Sequence, residues 1–282
     1  MKLVVTGSAG MLGQRVVADA AARGWTPVGV DLPDGDLTDK AVARELIAGH
    51  APDAIVHCAA WTDVDGAEER EDAALRVNAD ASRNVARAAK AVGARVVAVS
   101  TDYVFDGTLT GRPYVESDPT APLGAYGRTK LAGELAIAEE LDDHAIARTA
   151  WLFGAGGKNF CETMLGLAAT RDRVAVVTDQ IGSPTWTGHL SPALLTLVEG
   201  DVRGVVHTAG NGQVSWHGLT TELFRVAGVD CEVGETTAAE FQRPAPRPAW
   251  SVLATDRQRE GAPVLPPWQD GVRGFVDERT AA

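Results

Sequence analysis

Lysine is scarce in this chain. Only Lys2, Lys40, Lys90, Lys130 and Lys158 occur among 282 residues, so arginine carries most of the positive charge. Cysteine is scarcer still. Cys58, Cys161 and Cys231 are odd in number and widely spaced, which excludes a disulfide framework or a zinc site and leaves packed thiols in a reducing compartment. No run of about 18 apolar residues is present, which excludes a membrane-spanning helix. The opening MKLVVTGSAG enters its first strand at once and carries no signal-peptide pattern. A net charge of −12 argues against nucleic acid or anionic membrane as partners, because those surfaces repel an acidic protein. The six histidines are scattered, and none is expected to hold a metal. These absences lead to the expectation of a cytoplasmic protein.

What is present is enough apolar material, 45% of residues, for a sizeable core. The first 150 residues alternate strand and helix. Strands are expected at 2–6, 26–31, 53–60, 94–101 and 144–150. Helices are expected at 11–24, 39–50, 66–92 and about 125–141. That alternation implies an α/β fold with a doubly wound parallel sheet. After residue 150 the pattern loosens. Strands at 173–179 and 204–210 and a helix at 215–228, with Ser215 as its N-cap, are the clear features. RPAPRPAW (243–250) is too proline-rich for helix or inner strand. The division predicted is a dinucleotide-binding domain over 1–150, with returns from about 173–210, and a smaller substrate-binding lobe over 151–282.

TGSAGMLG lies between the first strand and the first helix and supplies Gly7, Gly10 and Gly13. Glycines there let backbone approach a pyrophosphate, with the helix N-terminus aimed at its charge. A glycine triplet alone is weak; the strand–turn–helix context strengthens it. Asp31, at the end of the second strand, is placed to bind both ribose hydroxyls of NAD. Leu32 and Pro33 follow, so no adjacent base awaits the extra phosphate of NADP, and the reading leans to NADH over NADPH. Arg15 could swing toward a phosphate and weaken that lean. Asp36 and Leu37 fall near the adenine.

AYGRTKLAGE (125–134) sets Tyr126 and Lys130 one turn apart. With three tyrosines and five lysines, such a pair arises by chance about one time in twenty. Both side chains share a helix face. For a phenol to be poised near neutrality its pKa of about 10 must fall by roughly 3 units, about 4 kcal/mol. One positive charge at about 4 Å in an effective dielectric near 20 supplies a similar amount. Ser100 or Thr101, directly after the strand ending in VAVS, offers a hydroxyl that can polarise a carbonyl. Alone it reads as a cap; beside Tyr126 and Lys130 it reads as the third catalytic member.

Taken together, TGSAGMLGQ, HCAAWTDVDGAE, NADASRNVA, STDYVFDG, PLGAYGRTKLAGE, RTAWLFG, NFCETML, DQIGSPTW and RPAPRPAWSVL closely resemble the dTDP-4-dehydrorhamnose reductase family of extended short-chain dehydrogenases/reductases. The likeness runs from about residue 2 to 255. It implies NAD(P)H-dependent reduction of the C4 ketone of a dTDP-4-dehydro-6-deoxy sugar. It assigns Thr101, Tyr126 and Lys130 to catalysis. Cofactor contacts are implied for Gly7, Ala9, Gly10, Met11, Leu12, Gly13, Asp31, Asp36, Leu37, Ala59, Ala60 and Thr62, with Tyr126 and Lys130. Sugar contacts are implied for Val64, Asp102, Tyr103 and Trp151, and thymidine-diphosphate contacts for Asn159, Phe160 and Arg247. From the residues alone, Trp151 could equally be core, and solvated surface is the favoured reading of Arg243 and Arg247.

Two departures from the family pattern carry expectations. Arg15 stands where some members carry a glutamate linked to a metal-bridged dimer, so no structural metal and at most a weak homodimer are expected. Trp61 and Trp186 stand where the family often has other residues, so an altered sugar pocket is expected. A sibling dTDP-keto-sugar reductase, a noncatalytic NADP-binding subunit and an epimerase that retains its NAD are the competing functions.

Overall fold

A computed structural model describes residues 1–281. In chain order the strands are β1 (Lys2–Thr6), β2 (Thr26–Val30), β3 (Ala54–His57), β4 (Arg95–Thr101), β5 (His144–Thr149), β6 (Leu152–Phe153), β7 (Arg173–Val177), β8 (Ile181–Gly182), β9 (Thr185–Trp186), β10 (Gly204–His207), β11 (Val214–Ser215) and β12 (Glu232–Thr236). The helices are α1 (Met11–Ala22), α2 (Lys40–His50), α3 (Val64–Glu69), α4 (Glu71–Leu75), α5 (Ala81–Val92), α6 (Ala125–Glu140), α7 (Phe160–Ala168), α8 (Thr187–Glu199), α9 (Trp216–Ala227) and α10 (Trp268–Ala281).

Six strands form one sheet in the order β10-β5-β4-β3-β1-β2, and every pairing in it is parallel. The short apolar runs that compose it are buried on both faces, as a parallel sheet requires. Alternation sorts the side chains. Leu3, Val5, Val56 and Val97 pack against Leu12 and Val16 of α1 and Leu190 and Leu194 of α8. Val4, Ile55 and Val96 face the other way, onto Ile47 of α2, Val85 of α5 and Ile137 of α6. The chain leaves β1 toward one edge and later crosses back to β3, so the strand order reverses beside β1. Ligands bind at such a switch point.

The expected helix over 66–92 is broken. Arg70 leaves helical geometry at φ −134°, and a π-helical turn spans Arg76–Asp80 before α5 begins. The extra residue per turn there buries Asn78 beneath the cleft, where it bonds both Trp61 N (2.8 Å) and Thr129 Oγ1 (3.0 Å). Asp63 and Glu71 also mark starts that the alanine-rich pattern conceals.

The strand over 173–177 lies outside the main sheet. β7 pairs in parallel with β12 in a separate two-stranded sheet, and the return to the main sheet is made by α8 and β10. A second core, built from Phe153, Cys161, Leu219, Phe224, Trp268 and Phe275, forms the lobe around α7, α9 and α10. Ser215 caps α9 by accepting from Gly218 N at 3.0 Å. Among the described residues no helix is long and apolar enough to cross a membrane.

Candidate active site

The cleft begins at the turn after β1. Gly7 sits at φ +66°, and a Cβ there would lie 2.7 Å from Ala59 N, so only glycine fits. A Cβ on Gly13 would lie 2.1 Å from Gly7 O, which lets α1 approach the turn only as glycine. The helices α2, α3, α7 and α9 each have a side-chain oxygen capping their first turn. α1 has none: its N-cap is Gly10, and no acidic residue lies in its first turn. The amides of Met11, Leu12 and Gly13 therefore face the cleft as a site for negative charge. Asp31 closes the other side. Its carboxylate accepts from Ala9 N at 2.8 Å and Leu32 N at 2.9 Å, which fixes it at the end of β2. A glycine cradle, unpaired amides and a fixed carboxylate suit a dinucleotide.

The cleft holds about 950 Å³. The expected residues Gly7, Ala9, Gly10, Met11, Leu12, Gly13, Asp31, Asp36, Leu37, Ala59, Ala60 and Thr62 line it. So do Val64, Thr101, Asp102, Tyr103, Tyr126, Lys130 and Trp151. β4 delivers Thr101 at its C-terminal end, and α6 delivers Tyr126 and Lys130 on one face. Thr101 Oγ1 donates to Asp102 Oδ1 at 3.1 Å and accepts from Tyr103 N at 3.2 Å. The neighbouring Ser100 donates to Glu134 Oε1 at 2.5 Å. That separates the two hydroxyls between which the sequence left a choice: Ser100 is tied inward and Thr101 lies beside the phenol.

The electrostatics differ from the sequence argument. Burial pushes the Tyr126 phenol up to about 12, and the Thr101 hydroxyl opposes this only in part. Lys130 is pulled down to about 8 by burial, against the attraction of Glu134 and Cys58. Its ammonium donates to Val99 O at 2.8 Å. The lysine thus does not bring the phenol toward neutrality here; desolvation of the phenol outweighs it. The result is a tyrosine that remains protonated throughout the neutral range. Burial also raises Asp102 to about 6 and Cys58 to about 12, and lowers His57 to about 3.

Three expected residues do not line the cleft. Asn159 caps α7 through Glu162 N (3.1 Å) and braces Gly154 O (2.8 Å) and Gly157 O (3.0 Å), so its polar atoms are already committed. Phe160 lies behind Trp216, with ring centroids 4.3 Å apart. Arg247 forms a two-pronged pair with Asp65 at 3.0 Å for each prong, and Arg243 joins the same carboxylate at 3.4 Å. Arg247 is therefore largely buried against Asp65 rather than aimed into the cleft, whereas Arg243 remains exposed at the surface. Trp186 is also elsewhere. It lies beneath Arg15, 5.4 Å from guanidinium carbon to ring centroid, and against Gly274. Arg15 pairs with Asp19 at 2.9 Å and Glu278 at 3.2 Å rather than reaching toward a phosphate.

Sequence reasoning missed Trp216 and Lys158, which both line the cleft. Trp216 stacks on Trp151 with centroids 3.5 Å apart and planes 3° apart. Trp151 sits at φ +48°, a strained conformation for so bulky a residue. Gly182 packs beneath that ring, where a Cβ would lie 2.4 Å from it. Trp216 was visible only as the residue after a capping serine, and nothing local marks it as a platform.

A cleft at the switch point of a doubly wound sheet, with a hydroxyl–phenol–ammonium set at neighbouring element ends, defines the class: an extended short-chain dehydrogenase/reductase. Comparison with known proteins narrows this. The family described as "RmlD substrate binding domain" matches residues 1–281. A dTDP-4-dehydrorhamnose reductase of Mycobacterium tuberculosis is 45% identical over 90% of this chain and 85% of its own. A dTDP-4-keto-6-deoxy-D-glucose reductase of Streptomyces niveus is 43% identical over 91% and 90%. The crystal structure of the Bacillus anthracis dTDP-4-dehydrorhamnose reductase in complex with NADP superimposes with a TM-score of 0.95, at 34% identity, covering 98% of this chain and 99% of that one. The chain belongs to the dTDP-4-dehydrorhamnose reductase family.

Proposed function

We propose that the protein reduces the C4 ketone of a dTDP-4-dehydro-6-deoxy sugar with NAD(P)H, completing dTDP-L-rhamnose from dTDP-4-dehydro-L-rhamnose. The observation that carries this is Tyr126, a phenol kept protonated by burial, beside Thr101 and one turn from Lys130 in a dinucleotide-shaped cleft. A nicotinamide bound there supplies the hydride. Tyr126 gives its proton to the ketone oxygen as negative charge develops on it. Thr101 polarises the carbonyl by turning its one hydroxyl proton from Asp102 Oδ1 to the same oxygen when the ketone binds. Lys130 holds the ribose hydroxyls and keeps positive charge near the developing alkoxide. Val64, Asp102, Tyr103 and Trp151 contact the sugar, with Trp151 as its apolar floor. Asn159, Phe160 and Arg247 act on the thymidine diphosphate by shaping its wall, and Arg247 exchanges Asp65 for phosphate when it takes part.

Asp31 favours NADH: its fixed carboxylate accepts from ribose hydroxyls and repels a 2′-phosphate. The Bacillus anthracis relative binds NADP, so NADPH is expected to serve as well, less efficiently. The protein acts as a monomer or weak homodimer in the cytoplasm; Arg15, paired with Asp19 and Glu278, sets a cation where a metal-bridged dimer would need a carboxylate.

The Streptomyces niveus relative supports a second substrate, dTDP-4-keto-6-deoxy-D-glucose. The test is NADH oxidation with each keto sugar, followed by identification of the product. Rapid oxidation with dTDP-4-dehydro-L-rhamnose and formation of dTDP-L-rhamnose is expected. Turnover confined to the glucose-derived ketone would replace the first reading by the second, and oxidation with neither would remove both.

A further inference from the structure

The face of α6 that carries Tyr126 and Lys130 continues one turn further to Glu134, which the reduction chemistry does not use. Its side chain is 4% exposed. Three groups hold it: Arg148 Nη2 at 2.7 Å, Arg148 Nε at 2.9 Å and the Ser100 hydroxyl at 2.5 Å. Arg148 comes from β5, Ser100 from β4, and the Arg148 guanidinium rests over Phe105 at 5.2 Å. A carboxylate so fixed cannot rotate to follow Lys130, and Lys130 directs its hydrogen bond to Val99 O instead. Both groups line one small cavity of about 10 Å³ with His57, Asn78, Ser82 and Ser100. The carboxylate therefore acts on the ammonium through a buried environment, where screening is weaker than in bulk water.

We propose that Glu134 is a positioning residue for the reaction: it keeps Lys130 charged, while Arg148 and Ser100 keep Glu134 in place. The inference rests on the catalytic reading of Lys130 given above. The charges facing Lys130 are few. On its own helix they are Tyr126 and Glu134, and at the end of β3 they are His57 and Cys58. Asp102 lines the same cleft from the end of β4. Burial favours the neutral amine, Glu134 and Cys58 favour the ammonium, and Cys58 is itself a protonated thiol at neutral pH. Glu134 is thus the anion that opposes burial. Arg148, paired with Glu134 at 2.7 Å, offsets part of that carboxylate's pull on Lys130. Without Glu134, Lys130 loses its proton at lower pH, and the alkoxide loses its nearby cation.

The measurement is the pH profile of kcat/KM for keto-sugar reduction. Wild type is expected to decline on the alkaline side near pH 8. Glu134→Gln is expected to move that decline down by about one pH unit, with activity at pH 6 affected far less. Glu134→Asp, which keeps the charge, is expected to restore the wild-type position. Should Glu134→Gln fail to fold with Arg148 left unpaired, the double variant Glu134→Gln/Arg148→Gln removes both buried charges and is expected to show the same downward move. A folded charge-free variant whose alkaline limb coincides with wild type overturns the proposal. A wild-type enzyme with no turnover at all instead overturns the functional reading on which it rests, so the two failures are distinguishable.

Discussion

At the scale of single residues, the site divides into groups that burial disables and groups that burial makes useful. Burial raises the Tyr126 phenol to about 12, so it stays protonated through the neutral range, which suits proton donation to a ketone. Burial pulls Lys130 to about 8, so this cation is lost as pH rises through that value. The rate of reduction should therefore vary least around pH 7, above the protonation of Asp102 near 6, and fall by about tenfold per unit well above 8. Lys130→Met should be slow at every pH and lack that fall. Of these residues, Tyr126 and Lys130 were legible because the rarity of tyrosine and lysine makes their spacing informative. Their protonation was not, because it depends on how deeply strand β4 and helix α6 bury them. Trp216 and the Asp65–Arg247 pair were illegible for a related reason. Each joins residues far apart in the chain, Trp151 with Trp216 and Asp65 with Arg247, and no local pattern encodes such a contact.

At the scale of elements, α1 matters because its uncapped first turn opens onto the cleft. Other helices use Asp39, Asp63, Asn159 or Ser215 as caps; α1 offers bare amides. Gly13→Ala forces a Cβ to 2.1 Å from Gly7 O, and the helix must retreat from the turn. Cofactor affinity should fall by about tenfold or more in a titration with NADH, with a lowered melting temperature. The strands of the main sheet were readable from their apolar runs, since a strand buried on both faces needs little else. Elements outside that regularity were harder. α8 contains Pro192, which reads as a break, yet the helix persists because Leu190, Leu194 and Leu197 bury one continuous face. The segment 66–92 reads as one helix from its alanines, yet Arg70 and the π turn divide it. Propensity yields there to the geometry that brings Asn78 under Trp61 and Thr129.

At the scale of the whole molecule, the cleft exists because a sheet of early strands and a lobe of late helices share one boundary. α10 ties the two together through Glu278, which pairs with Arg15 of α1 at 3.2 Å, while its Phe275 packs edge-on against Phe153 at 5.6 Å inside the lobe core. Phe275 is fully buried, so Phe275→Ala should cost about 3–5 kcal/mol, read as a lower midpoint in denaturant. A loss well under 1 kcal/mol would show that the lobe core does not depend on α10. The strands at 173–179 and 204–210 were readable from their apolar runs, and β10 joins the main sheet as a return, but the partner of β7 was not readable. β12 supplies that partner from 55 or more residues away.

The account stands most directly on the phenol of Tyr126 as proton donor in the cleft. The measurement is steady-state turnover of dTDP-4-dehydro-L-rhamnose by Tyr126→Phe, paired with NADH binding by fluorescence on the same sample. Turnover is expected to fall by about a thousandfold, with cofactor affinity close to that of wild type. Turnover equal to wild type in a variant that still binds NADH would contradict it.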